Sequence, residues 1–101
     1  MILTIWNKVY NLHIKRFTYT NNGNLAICLL EDDRAPFATL TINLEEKLPH
    51  GYAYVDTNNC PWAVDFIDDN NLGEFTGAYG QSGFCNYPLY KFNEEVIEND
   101  N

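Results

Sequence analysis

At 101 residues the chain has one domain's worth of material, and its hydrophobic (46%) and aromatic (15%) content separates it from acidic disordered tails, which lack the apolar surface to fold. Its formal charge of −8 opposes nucleic acid and anionic membrane and favours basic protein surfaces. That charge is uneven. Residues 1–50 balance Lys8, Lys15, Arg16, Arg34 and Lys47 against Glu31, Asp32, Asp33, Glu45 and Glu46, whereas residues 51–101 set Lys91 alone against Asp56, Asp65, Asp68, Asp69, Glu74, Glu94, Glu95, Glu98 and Asp100.

Ile2 to Trp6 and Val9 to Tyr19 read as strands around an Asn7-Lys8 turn, with Tyr10, Leu12 and Ile14 alternating with polar neighbours at the period of a half-buried strand. The Asn21-Asn22-Gly23-Asn24 run supplies residues that tolerate positive φ, so a second reversal is expected there. Leu25 to Leu30 and Phe37 to Leu44 follow as strands on either side of an acidic turn. Pro49-His50-Gly51 then interrupts the chain before the short aromatic strand Tyr52 to Val55.

The segment from Cys60 to Asn70 predicts the one main helix. Asparagines and a proline precede it, and Cys60 is itself a candidate N-cap, since the residue before proline avoids the helical region. At about 100° per residue, Trp62, Ala63, Phe66 and Ile67 share one arc and Asp65, Asp68 and Asp69 the other. Phe75 to Tyr90 reads as strand, irregular loop, strand, and Glu94 to Asn101 as a helical turn or frayed acidic tail. The expected architecture is a single α+β domain over residues 1–101: a twisted antiparallel sheet of about five to seven strands with one main helix packed on one face.

Enzymatic motifs are weak. Cys60 at a helix start is a conceivable nucleophile, but neither His13 nor His50 is placed by sequence as its base, and Asp56 and Asp65 oppose a thiolate. Cys60, Cys85 and His50 lack the paired short spacings of a zinc motif. The run Gly77 to Gly83 lacks the lysine and Ser/Thr of a phosphate loop, and plentiful carboxylates are not the placed pair a glycosidase needs. No catalytic residue, cofactor or metal ligand is therefore expected. With three unpaired cysteines and no secretory signal or membrane span in its sequence, the chain is expected in the cytoplasm.

The acids of the helix offer more. Asp68 and Asp69 fall in its last turn, where the macrodipole makes a carboxylate cost a few tenths to about 1 kcal/mol, and Asp65 repels Asp69 one turn away. Neither placement serves folding, and a row of carboxylates resembles a phosphate backbone in character. The expected partner-binding set is Asp65, Asp68 and Asp69, extended by Glu74, Glu94, Glu95 and Glu98, with Tyr79 and Tyr90 as exposed anchors.

Tyr54-Val55-Asp56-Thr57-Asn58-Asn59-Cys60-Pro61-Trp62-Ala63, then Phe66-Ile67, Leu72-Gly73-Glu74, Thr76-Gly77 and Ser82 to Tyr90, resemble a family of small acidic proteins of unknown function carried on conjugative elements, plasmids and phages of Gram-positive bacteria. Asn22 to Ala26 and Pro36 to Leu44 fit the same family. The resemblance lends no reaction. It implies genomic company in which small acidic proteins block host nucleases, and hence a non-enzymatic inhibitor of anti-CRISPR or antirestriction type that binds a basic groove without touching nucleic acid or membrane. The alternative is an accessory interaction module of mobile-element transfer or maintenance, docking through the aromatic Gly77 to Tyr90 region.

Overall fold

The computed structural model describes the backbone of residues 1–99 and the side chains through Ile97. It contains β1 (Ile2–Ile5), β2 (Lys8–Asn11), β3 (His13–Thr18), β4 (Leu25–Leu30), β5 (Pro36–Thr39), β6 (Thr41–Ile42), β7 (Tyr52–Val55), α1 (Ala63–Asp69), β8 (Gly73–Ser82), β9 (Cys85–Phe92) and α2 (Glu94–Asn99). Every strand pair is antiparallel, so mostly antiparallel sheet with two short helices fits the α+β expectation in outline.

The strands form three ladders, β1-β2, β3-β4-β5 and β6-β7-β9-β8, instead of one sheet. Two stretches that read as continuous strands are each bent at a leucine with no exposed surface, Leu12 between β2 and β3 and Leu40 between β5 and β6. Each bend sends the two halves to different partners while the leucine enters the core. Joined across these bends, the nine strands become seven, the upper end of the five to seven expected.

The principal hydrophobic cluster draws on the whole chain, from Leu3 of β1 through Ile27 and Leu29 of β4 and Val55 of β7 to Ile97 of α2. Ala63, Phe66 and Ile67 of α1 are buried in it. A second, smaller cluster gathers Leu48, Tyr54 and Tyr87.

Two turns differ from expectation. The first hairpin reverses at Trp6-Asn7, not Asn7-Lys8, with both residues at positive φ (52° and 60°). The last reverses at Gly83-Phe84 as a tight two-residue loop, where an irregular loop was expected. The irregularity lies within β8 instead, between Phe75 and Tyr79, where Gly77 takes φ +89°.

Candidate partner-binding surface

Helix α1 begins at Ala63, later than the caps suggested. Cys60, Pro61 and Trp62 form the turn that leads into it, Trp62 holds the N-cap position without a side-chain cap, and the Ala63 amide donates to the Cys60 carbonyl at 2.9 Å. Asp56 stabilises this entry: its carboxylate accepts from the Asn59 amide (3.2 Å) and from Asn59 Nδ2 (2.9 Å). This buried carboxylate is thereby withdrawn from the surface charge.

The helix brings Asp65, Asp68 and Asp69 to the exposed side, as its periodicity predicted. Next to them stands β8, whose Tyr79 is 62% exposed and whose Phe75 is 44% exposed, the two rings 5.3 Å apart at their centroids. Phe75 was not singled out from the sequence, where it reads as one more strand residue; the break in register after it leaves it on the surface. Phe75, Tyr79, Val64 and Tyr90 line a depression of about 240 Å³ beside α1.

Tyr90 is a correction. Its side chain is 2% exposed, and its hydroxyl donates to Asp68 Oδ1 at 3.3 Å, so it anchors the acidic helix from within and is not the exposed anchor that was expected. Burial first, and the Asp68 carboxylate second, push its phenol up to about 12.

The extension of the acidic stripe is also corrected in part. Glu94 Oε1 lies 2.7 Å from His50 Nε2 and 3.6 Å from an Arg16 guanidinium nitrogen, so its charge is met across the fold. Glu74 sits directly opposite Lys91 in the β8-β9 register, where opposite charges offset one another. Glu95 is exposed, and the side chain of Glu98 lies outside the described residues.

Folding adds acids that the sequence split assigned elsewhere. Glu45 and Glu46, from the balanced half, line a groove of about 710 Å³ that Tyr79, Gly80 and Gln81 close on the other side. Tyr54 forms part of its wall and donates its hydroxyl to Glu46 Oε1 at 2.5 Å; this bond chiefly, with burial, pushes its phenol up to about 12. Tyr79 thus stands between two concavities, each with carboxylates nearby.

Cys60 is buried, its thiol directed at the Thr39 carbonyl at 3.6 Å, and burial followed by the nearby Asp56 pushes its pKa up, away from a reactive thiolate. Among the described residues no three histidine, cysteine or acidic side chains come together in a metal-binding arrangement. Among those same residues no helix is long and apolar enough to cross a membrane.

Neither the curated proteins nor the solved structures contain a match to this chain. A family model described as a domain of unknown function, DUF4313, matches residues 11–99, which takes in the helix, the aromatic β8-β9 hairpin and Glu45-Glu46 but leaves β1 before the matched segment. The chain belongs to the DUF4313 family.

Proposed function

We propose that this chain is a non-enzymatic inhibitor of a host defence nuclease, of anti-CRISPR or antirestriction type, that occupies a cationic groove with the acidic face of α1. The observation that carries the reading is the juxtaposition of Asp65, Asp68 and Asp69, all exposed, with the exposed rings of Phe75 and Tyr79. Carboxylates steer a basic partner and set its orientation, while desolvated aromatic contacts supply the residence time that screened charge alone lacks. We take α1 to lie against the sheet that carries Tyr90, a placement supported by the Tyr90–Asp68 bond. Mobile-element origin and cytoplasmic action belong to the same reading.

Reversing Asp65, Asp68 and Asp69 to lysine tests it. The fold should persist, because the three side chains are exposed and the only bond they lose among the described residues is the one from Tyr90 to Asp68, and the rescue of a restricted phage by a host expressing the chain should disappear. Undiminished rescue would remove α1 from the mechanism.

A second reading, an accessory interaction module of element transfer or maintenance, is favoured by the aromatic exposure of the β8-β9 hairpin, where Phe84 at the tip is fully exposed. Capture at low and high salt separates the two. Charge-led binding falls steeply as salt rises, whereas docking through the hairpin tip persists and is lost on Phe84→Ala.

A further inference from the structure

Strand β1 has a partner on one side only, since its ladder consists of β1 and β2. The phase of that ladder is fixed at its open end, where the Leu12 amide donates to the Met1 carbonyl at 2.7 Å and the Met1 amine donates to the Leu12 carbonyl at 2.8 Å. Hydrogen-bonded pairs alternate along an antiparallel ladder, so Leu3 and Ile5 bond to β2, and the amides and carbonyls of Ile2 and Thr4 point away from it. Among the described residues no other bond engages those outward groups.

They do not face open solvent alone. All four β1 residues line a groove of about 370 Å³ whose other wall is α1 and its approach, contributing Trp62, Asp65, Phe66, Asp69 and Asn70. One wall therefore offers an unpaired strand edge and the other carries two carboxylates. Asp65 and Asp69 are one helical turn apart, about 6 Å along the axis. Alternate residues of an extended strand are spaced by about 6.6 Å, so one strand can aim two successive same-side cations at the two acids.

We infer that this groove receives an extended, lysine- or arginine-bearing segment of a partner protein, which adds to β1 as a third strand and places alternate cationic side chains against Asp65 and Asp69. The inference rests on the acidic face proposed above and specifies how part of it is read. Main-chain bonds to Ile2 and Thr4 hold the segment, and charge complementarity with the helix selects it. An exposed strand edge without such a selector is a site of indiscriminate pairing; the two aspartates restrict it to cationic strands.

The probe is a blocked six-residue peptide alternating lysine and valine, added to the isotope-labelled intact chain. Amide shifts are expected over Ile2–Ile5 and Ala63–Asp69. Methylating the alternate peptide nitrogens that would donate to β1, which leaves charge and side chains untouched, should weaken binding roughly tenfold or more. On the protein side, Thr4→Pro removes one outward donor while leaving the bonds to β2 in place, because proline is accepted on an edge strand when its missing N–H faces away from the ladder; it should weaken binding comparably. Absence of shifts at millimolar peptide, or shifts elsewhere on the chain, overturns the inference. If D65N/D69N weakens binding but neither methylation nor Thr4→Pro does, the strand mode is wrong and the acidic surface stands. If the strand variants weaken the peptide while the triple lysine reversal leaves phage rescue intact, the inhibitor reading falls and the strand groove stands.

Discussion

The two terminal hairpins are built alike and stabilised differently. Each reverses in two residues, Trp6-Asn7 between β1 and β2 and Gly83-Phe84 between β8 and β9. In the second, the left-handed position is filled by a glycine at φ +59°, which suits the twist of a hairpin at no steric cost. In the first, both positions are left-handed and neither is glycine, and one holds a tryptophan that is 81% exposed. A bulky side chain in that region costs about 1–2 kcal/mol. The hairpin persists because Leu3 is buried in the core and Ile5 and Tyr10 pack against it, not because its turn favours it. The C-terminal hairpin has a favourable turn and in addition presses its backbone onto Tyr54.

The sharpest break in the comparison is at Gly80. A Cβ there would lie 2.6 Å from the Tyr54 ring and 2.8 Å from Leu44 Cδ1, and the ring cannot swing aside without giving up its bond to Glu46. Gly80→Ala is expected to cost about 1–3 kcal/mol. In a domain of this size that lowers the melting temperature by roughly 4–8 °C per kcal/mol, measurable by calorimetry. Should the melting temperature hold, the C-terminal hairpin is not seated as closely as described.

The turns themselves should respond with opposite sign. Gly83→Ala forces a Cβ into the left-handed region and is expected to destabilise by about 1 kcal/mol, though nothing crowds the position. Trp6→Gly relieves the same kind of strain and should stabilise by about 0.5–1 kcal/mol, the loss in strain exceeding the added freedom of the unfolded chain. Denaturant midpoints at unchanged slope would read both. A destabilised Trp6→Gly variant would mean that the indole makes a contact worth more than its backbone strain.

This contrast also explains what was legible beforehand. Strand β4 and strand β7 carry their signal in local apolar runs, and the residues that bound them were readable to the position. The face of α1 followed from its period of 3.6, so Asp65, Asp68 and Asp69 were placed correctly on the surface. The reversal at Asn21-Asn22-Gly23-Asn24 was legible; the tight turn at Gly83-Phe84 was hidden among three glycines spaced by three, and the one at Trp6 was hidden because distant packing overrides the local preference. The charge split between the halves did not survive folding, because pairing is three-dimensional: Arg16 reaches Glu94, and Glu45 and Glu46 come to rest beside Tyr79. Tyr90 lies inside, against expectation, for a related reason. A tyrosine in a strand shows its hydroxyl to water or to a partner depending on what lies near that face, and here the hydroxyl meets Asp68, more than twenty positions earlier in the chain.

The smallest effect sharpens this last point. Removing the Tyr90 hydroxyl in Tyr90→Phe forfeits one hydrogen bond to a carboxylate that water can still solvate, so the expected loss near neutral pH is about 0.5–1 kcal/mol. Its signature lies at high pH. The Tyr90 phenol titrates near 12 in the folded chain against an ordinary value of 10.0, so the folded state holds its proton after the unfolded state has released it. The stabilisation tied to that proton is complete below pH 10 and declines as pH rises toward 12. Tyr54, raised to about 12 chiefly by Glu46, adds to the same decline. Stability measured across this window should fall in the parent chain and fall less steeply in Tyr90→Phe, with the remaining slope shared by Tyr54, Tyr19 and Tyr87, whose phenols are also raised. An unchanged slope would mean that Tyr90 ionises as freely as an exposed tyrosine, and with it the claim that the acidic helix is tied to β9 through this hydroxyl would fail.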